Sequence, residues 1–161
     1  AGVAYDARHD ASRTSKPLLY VDVGANIGAC IFHVLAVFPL GLVHVLAFEP
    51  VSRNLFFLTK SLLLNPTLVP HVTLAPIALA DRRTTVSLQT DNDANAGSYF
   101  ASWSKASSGN GLTSVPTMTF DDVLEQLLPV NTDVDLLKID VEGFEWLMLR
   151  GAERALRRQQ V

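Results

Sequence analysis

The chain has 161 residues, 48% hydrophobic and 18% charged, a balance that suits one domain with a real core and argues against disorder. Its net charge of −3 provides no basic field, so we expect no nucleic-acid partner. The single cysteine, Cys30, excludes an internal disulfide and suits a reducing compartment, which favours the cytoplasm. Because Cys30 lies in an apolar helical pattern, we expect it to be a small core residue.

Residues 1–16 are polar and have no hydrophobic period, so we interpret them as a leader or loop before a domain that spans 17–161. They show no cationic head, apolar stretch and cleavage site, and no signal peptide is predicted. The apolar run 27–48 is long enough to raise the question of a membrane span. Since Pro-Leu-Gly at 39–41 interrupts it and two histidines lie within it, we expect a helix, a turn and a strand, and no membrane span.

Strands and helices are predicted to alternate along the domain. In chain order they are strand 17–24, helix 27–38, strand 42–49, helix 50–65, strand 71–80, helix 120–128, strand 133–140 and helix 143–158. The strands are continuous apolar runs, typical of a parallel sheet, and Pro or Gly ends several of the helices. This order predicts an α/β fold, a Rossmann-like doubly wound sheet in a three-layer α/β/α arrangement.

The segment between the third strand and the helix at 120 has a different character. Residues 84–89 and 112–119 are expected to pair as flanking strands. Between them, 90–111 is rich in Ser, Asn and Gly and too long for a plain turn, which is typical of a functional or disordered loop. Tyr99 and Trp103 could stack there on a substrate, but we favour a role in folding the loop onto the domain.

Acidic residues mark the carboxyl ends of the predicted strands. Asp22, Glu49 and Asp140 lie at three of these ends, and Asp81 follows the remaining strand. Ligands of doubly wound sheets bind outside this edge. One acid there is explained equally well as a helix cap, but four acids on one edge repel each other and would be better solvated elsewhere. The set therefore predicts a binding site.

The turn after the first strand, Gly-Ala-Asn-Ile-Gly at 24–28, suggests the kind of ligand. Gly24 and Gly28 are expected to leave room for a ligand against the backbone, beside the free N–H groups of the next helix. Tight packing of strand on helix also needs glycine, so the turn alone is a weak indication. Glu49, about two dozen residues after Gly24, is placed to accept hydrogen bonds from both hydroxyls of a ribose. An adenosine-type ligand is therefore expected.

Two residues decide between the adenosine cofactors. Asn26 stands where the dinucleotide fingerprint has a glycine that lets a pyrophosphate approach. Asp22 is expected to point into the same place, where its charge repels a pyrophosphate but attracts a sulfonium or an ammonium. The electrostatics therefore favour S-adenosylmethionine as cofactor, and an NAD- or nucleotide-binding Rossmann protein stays as the alternative.

Four stretches, VDVGANIG, AFEPVSRN, ALAD and LLKIDVEGFEWLMLRGA, resemble the FkbM-type S-adenosylmethionine-dependent methyltransferases from about residue 18 to 156. The resemblance implies a class I methyltransferase fold and O-methylation of a small molecule or sugar. By this resemblance the methionine end is lined by Asp22, Gly24, Ala25, Asn26 and Gly28, the ribose is held by Glu49, Asp81 lies near the adenine, and Asp140 lies beside the sulfonium or amino group. The sequence NAG at 95–97 also resembles a family loop that closes near the cofactor.

Transfer to an alcohol requires removal of a proton, and Glu142 or Asp140 is interpreted as the base. Glu142 could instead cap a helix that begins at Gly143, and proximity alone could account for most of the catalysis because the methyl donor is already activated. No metal is predicted, since the four histidines show no metal-ligand spacing. Lys138 is expected to extend to solvent or pair with an acid, and no role is assigned to it.

A class I methyltransferase sheet has seven strands, and its fifth strand and antiparallel pair have no counterpart in this sequence. The chain is therefore interpreted as the N-terminal, cofactor-binding portion of the domain, without the last strands. If the strand order is 3-2-1-4, the fourth strand is an apolar edge, which favours self-association. A non-catalytic interaction module that keeps the fold is the remaining alternative.

Overall fold

The computed structural model describes residues 16–90, 99–102, 112–129 and 132–158. The strands are β1 (Leu18–Val23), β2 (Val43–Phe48), β3 (Val72–Ala75), β4 (Ala78–Leu79), β5 (Thr84–Thr90), β6 (Tyr99–Ser102), β7 (Leu112–Met118) and β8 (Leu136–Ile139). The helices are α1 (Ala29–Val37), α2 (Ser52–Leu64), α3 (Phe120–Leu127), α4 (Glu145–Arg150) and α5 (Glu153–Arg157), with a 3-10 helix at Val69–His71. The predicted leader, apart from residue 16, the NAG sequence at 95–97 and Trp103 lie outside the described residues.

Four parallel strands form the central sheet in the order β3-β2-β1-β8, which is the predicted order 3-2-1-4. In the register of β1, Val23 lies opposite Phe48 of β2 and Ile139 of β8. The three strands therefore end side by side. As a result, Glu49 and Asp140, each one residue beyond its strand, come to the same edge of the sheet.

Helices cover both faces of the central sheet. On one face Tyr20 of β1 belongs to a core with Ile31 of α1 and Leu58 of α2. On the other face Val21, the next residue along β1, belongs to a core with Phe120 of α3. Successive side chains of a strand point to opposite faces, so one short apolar run serves both layers. The predicted three-layer α/β/α architecture is confirmed.

The predicted strand 71–80 is wrong as a single element. β3 ends at Ala75, and after Pro76 the chain leaves the central sheet and forms β4 in a second sheet. Proline has no N–H to donate to a sheet ladder, which explains the break at this position.

The predicted helix 143–158 is also divided. α4 begins only at Glu145, and Gly151 separates it from α5. The Gly151 carbonyl accepts a hydrogen bond from Asp121 N at 3.0 Å, and a Cβ at Gly151 would lie 2.1 Å from Ala80 O. The Asp121 carboxylate in turn accepts the N–H of Ala155 at 2.9 Å, in the first turn of α5. These tertiary contacts stabilise two short helices in place of one long one.

The second sheet has the order β4-β7-β5-β6. The predicted pairing of its two central strands is found: β5 and β7 are antiparallel, with Val86 opposite Val115. β6, which also pairs with β5, lies inside the segment predicted to be a loop. Within the described ranges no helix is long and apolar enough to cross a bilayer, and α2, with 13 residues, is the longest of them.

Candidate functional site

A cavity of about 390 Å³ lies at the carboxyl edge of the central sheet, between that edge and the second sheet. Its volume is in the range of small-molecule sites. One wall consists of strand ends and the turns after them, and includes Gly24, Ala25, Asn26, Glu49, Lys138, Asp140 and Glu142. The opposite wall is apolar and includes Ile77, Leu79, Val86 and Leu88. We call these the polar wall and the apolar wall.

Two residues of the polar wall have an uncommon backbone. Among the described residues, Asn26 (φ 52°) and Glu142 (φ 51°) are the non-glycine residues in the left-handed region. This conformation is unfavourable for residues with a Cβ and is found mostly where surrounding contacts hold it, often at functional sites. That both such residues line the same cavity supports this cavity as the functional site.

Glu49 holds the turn that contains Asn26. Its side chain is buried, with Oε2 accepting Asn26 N at 2.8 Å and Oε1 accepting Val51 N at 2.8 Å and Asn54 Nδ2 at 3.4 Å. Burial raises the pKa of Glu49, and these hydrogen bonds oppose the shift because they stabilise the charged form. Oε1 already accepts two hydrogen bonds, whereas Oε2 accepts one and keeps a second lone pair. Glu49 can therefore both order the turn and accept a ligand hydroxyl, and its contact with a ribose stays a prediction.

Lys138, to which the sequence assigned no role, lines the cavity and pairs with acids, one of its two expected arrangements. Its Nζ donates a hydrogen bond to Gly24 O at 2.9 Å and forms ion pairs with Asp22 Oδ1 at 3.0 Å and Asp140 Oδ2 at 3.7 Å. Lys138 lies opposite Asp22 in the register of β8 and β1, and it precedes Asp140 by two residues on the same face. The sequence alone does not reveal this cluster, because its residues come together only through the pairing of β8 with β1.

The structure corrects the expectation that the charge of Asp22 faces the ligand. Asp22 is fully buried, is not among the residues that line the cavity, and is compensated by Lys138. Burial raises the pKa of Asp22, and the Lys138 ammonium opposes this shift. A buried carboxylate requires such a partner. Asp22 therefore contacts Lys138, a residue of the cavity lining, and does not itself line the cavity.

The two glycines of the turn make room for protein rather than for a ligand. A Cβ at Gly24 would lie 2.0 Å from Asp140 O, and a Cβ at Gly28 would lie 2.4 Å from Leu58 Cδ1. Both residues also have positive φ, of +82° and +93°. The packing explanation, kept open in the sequence analysis, is the one that the structure supports. Gly24 still borders the cavity, whereas Gly28 lies outside its lining.

Asp81 is held away from the cavity lining. Its carboxylate lies 3.0 Å from Arg82 Nε and 3.6 Å from Arg150 Nη1. The residues just before it, Ile77 to Ala80, line the cavity in its place. A contact between Asp81 and an adenine stays a prediction from the resemblance.

Asp140 and Glu142 both line the cavity and are exposed. The alternative in which Glu142 caps a helix is wrong, because Phe144 is the N-cap residue of α4 and no side chain of the described residues caps this helix. Glu145 Oε1 accepts Val141 N at 3.1 Å and Gly143 N at 3.2 Å, the two N–H groups on either side of Glu142. Hydrogen bonds from backbone N–H groups, its own first, lower the pKa of Glu145. Glu142 therefore does not cap α4, and it lines the cavity as an exposed residue.

Cys30 differs from its expected place in the core. It is exposed and lines the cavity from the first turn of α1, while Ile31 and Leu35 of the same helix are buried. The apolar wall was not predicted either, because Val86 and Leu88 reach the cavity only through the pairing of the second sheet.

The chain is similar to a known protein family and to a solved structure. A family model described as the methyltransferase FkbM domain matches residues 22–161. The fold is similar to a crystal structure of methyltransferase FkbM from Methylobacillus flagellatus KT, with a TM-score of 0.60 and 20% identity. The match covers 96% of this chain and 34% of that one, so the chain spans about a third of the length of the solved structure. No curated protein matches the chain significantly.

Proposed function

Because the chain belongs to the FkbM methyltransferase family, we propose that it binds S-adenosylmethionine in this cavity and serves O-methylation of a small molecule or sugar. The family membership supports methyl transfer. The cofactor and the hydroxyl acceptor are inferred from the chemistry of the cavity, as the following contacts argue.

The main support for this proposal is that backbone N–H groups of the turn after β1 already donate hydrogen bonds within the protein. Gly24 N and Ala25 N both donate to Phe48 O at 3.0 Å, Asn26 N donates to Glu49 Oε2, and Gly28 N donates to Ala25 O at 2.9 Å. A dinucleotide-binding turn instead offers its N–H groups to a pyrophosphate. Since these donors already have acceptors within the protein, the turn favours an adenosine ligand without a pyrophosphate.

The residues of the cavity fit S-adenosylmethionine. Glu49 offers the remaining lone pair of Oε2 to a ribose hydroxyl, and the apolar wall offers a surface on which a purine can be buried. The ammonium of Lys138 and the carboxylate of Asp140 lie next to each other on the polar wall. When bound, this cofactor supplies an activated methyl group.

Transfer to oxygen leaves a proton to be taken up. As the acceptor oxygen gains the methyl group, its proton would pass to Glu142 or Asp140, the exposed carboxylates of the cavity. The left-handed turn held by Glu145 directs Glu142 to this place. The remaining contribution of the chain is to orient both reactants and to exclude water along the apolar wall.

The test is calorimetric titration of S-adenosylhomocysteine into wild-type chain, Glu49→Gln and the matched control Glu125→Gln. Glu125 is an exposed acid of α3 that pairs with Arg154 and is not part of the cavity lining. Loss of a hydrogen bond to a charged group should weaken binding about 10- to 100-fold in Glu49→Gln and leave Glu125→Gln unchanged. Equal affinity of all three folded proteins would contradict the ribose role of Glu49.

A further inference from the structure

The solvent-facing side of α2 carries a stripe of apolar and basic side chains. Leu58 and Leu62 of this helix are buried in the core. Residues at spacings of three and four share one face of a helix, and the opposite face is exposed at such spacings. We call this exposed face the outer stripe, and its residues are Arg53, Phe56, Phe57, Lys60, Leu63 and Leu64.

The apolar side chains of the outer stripe lie in solvent. Phe56 is 60% exposed, Leu63 is 70% exposed and Leu64 is 72% exposed. Phe56 and Phe57 contact each other edge to face with ring centroids 5.4 Å apart, yet both rings stay exposed. Single apolar residues are normal on a surface, whereas a contiguous apolar face marks an interaction site. The outer stripe is therefore a surface for a partner.

The charges of the outer stripe are positive. Lys60 Nζ lies 5.9 Å from the centroid of the Phe56 ring, and Arg53 is exposed one turn before Phe57. The ion pairs among the described residues involve other cations. Residues 50–80 contain no Asp or Glu, although the whole chain has a net charge of −3. The outer stripe thus combines apolar surface with uncompensated positive charge.

We propose that the outer stripe docks the protein onto the surface of a bilayer with anionic headgroups. Its Phe and Leu side chains enter the boundary between headgroups and acyl chains, and Arg53 and Lys60 pair with the headgroups. The 13 residues of α2 make a helix about 20 Å long, too short to cross the hydrocarbon core, so it lies in the plane of the membrane.

Charge and shape favour a bilayer over a protein partner. A symmetric contact between two copies would use the same stripe on both, and would bring the cations of one copy toward those of the other. A protein that received this convex helix would need a matching groove, whereas a bilayer accepts a convex apolar face. The opposite charge of the headgroups then complements Arg53 and Lys60.

The first test is flotation of the full chain with two kinds of vesicle, one of phosphatidylcholine and one of equal parts phosphatidylcholine and phosphatidylserine. The chain should float with the anionic vesicles and bind the neutral ones at least about tenfold less, because two cations contribute to the difference. Added salt should weaken binding to the anionic vesicles. Equal binding to both kinds, or binding to neither, would overturn the inference.

The apolar part of the outer stripe is tested with Leu63→Ser/Leu64→Ser. Loss of two inserted leucines should weaken binding to anionic vesicles about 10- to 100-fold. The matched control is Leu127→Ser/Leu156→Ser, since these exposed leucines belong to α3 and α5, whose cores lie on the other face of the sheet. Equal loss in both double variants would overturn the inference.

The charged part is tested with Arg53→Gln/Lys60→Gln. This change should remove most of the preference for anionic over neutral vesicles, whereas Arg157→Gln/Arg158→Gln, at the exposed end of α5, should keep it. If both double variants keep the preference, the outer stripe is not the docking surface.

Urea unfolding and analytical ultracentrifugation test the other occupants of the outer stripe. Leu63→Ser/Leu64→Ser should unfold at the same urea concentration as wild type, and both should be monomeric. A large loss of stability would show that another part of the chain covers the stripe, and a wild-type dimer that this variant dissociates would show a second copy there. Either result would overturn the inference. The proposed function is tested separately, because no residue of the outer stripe lines the cavity.

Discussion

The two walls of the cavity are held together in different ways. On the polar wall, the side chains contact one another and the backbone of neighbouring turns: Lys138 binds Gly24 O and Asp22, and Glu49 binds Asn26 N. On the apolar wall, Val86 and Leu88 belong to a small core that depends on shape and burial alone. The polar wall is therefore a network of charges and hydrogen bonds, whereas the apolar wall is held by packing.

This difference determines how each wall should respond to substitution. Residues that share a network show energetic coupling, and distant residues without shared partners contribute additively. Removal of one charge from the polar wall should change the others, while a truncation on the apolar wall should stay local. The following substitutions test the comparison in order of decreasing expected effect.

Lys138→Met should have the largest effect. It leaves Asp22 buried without its counter-charge, which should lower the free energy of unfolding by about 3–5 kcal/mol. The second substitution, Asp22→Asn, should restore most of that loss because the unpaired charge disappears. Urea denaturation followed by circular dichroism gives both values. A double variant as unstable as Lys138→Met would show that the two residues are not coupled.

Gly24→Ala tests the close approach of the two strand ends. The added Cβ would lie 2.0 Å from Asp140 O on a backbone with φ +82°. Gly41→Ala is the matched control, because Gly41 has φ +92° with nothing within 4 Å of its Cβ position. Both variants carry the cost of a left-handed residue, about 1–2 kcal/mol. The Gly24 variant should lose about 1–3 kcal/mol more through overpacking. Equal stability of the two variants would exclude the steric explanation.

Leu88→Ala tests the apolar wall. Leu88 is 7% exposed, and its truncation should cost about 2 kcal/mol, at the low end for a buried leucine because it borders a cavity. In combination with Asp22→Asn/Lys138→Met the effects should add within about 0.5 kcal/mol, since the two sites share no partner. Thermal and urea unfolding of the three proteins measure the sum. A coupling above about 1 kcal/mol would contradict the separation of the two walls.

Glu145 gives the smallest expected effect and the most local one. Glu145→Ala removes the acceptor of Val141 N and Gly143 N, and should cost about 1 kcal/mol and speed the amide hydrogen exchange of both residues. Glu145→Gln keeps an acceptor oxygen and should preserve their protection. Unchanged exchange in Glu145→Ala would show that the turn presenting Glu142 does not depend on this carboxylate.

The stability that Glu145 contributes should also depend on pH. Because its pKa is lowered in the folded state, the contribution is present above the ordinary pKa of a glutamate and is lost as the pH falls through the lowered value. The side chain is largely solvated, so the effect is small. Unfolding of wild type and Glu145→Gln, compared at neutral and acid pH, shows whether their difference shrinks in acid.

The sequence was sufficient for the features that depend on local pattern. Apolar runs predicted the four parallel strands, and the acids directly after them predicted that Glu49 and Asp140 lie at one edge of the sheet. The sequence was insufficient for features that depend on contacts between two distant segments. The break at Gly151 depends on the backbones of Ala80 and Asp121, and the division of the third strand depends on the pairing of β4 with β7.

The role of Lys138 shows the same limit for the site. Asp22 alone indicates an anionic ligand surface, and only its register partner on β8 shows that the charge is already paired. The glycines were likewise ambiguous, because a ligand and a packed backbone require the same absence of a Cβ. In each case the missing information was the identity of the neighbour.

If the proposed function is correct, this cavity should accept an adenosine ligand with an amino-acid end and reject a dinucleotide. The most direct measurement is calorimetric titration of the folded wild-type chain with S-adenosylhomocysteine and, separately, with NAD. We expect saturable binding of S-adenosylhomocysteine and none of NAD, since the N–H groups of Gly24, Ala25, Asn26 and Gly28 already have acceptors within the protein. Binding of NAD without binding of S-adenosylhomocysteine would contradict this expectation.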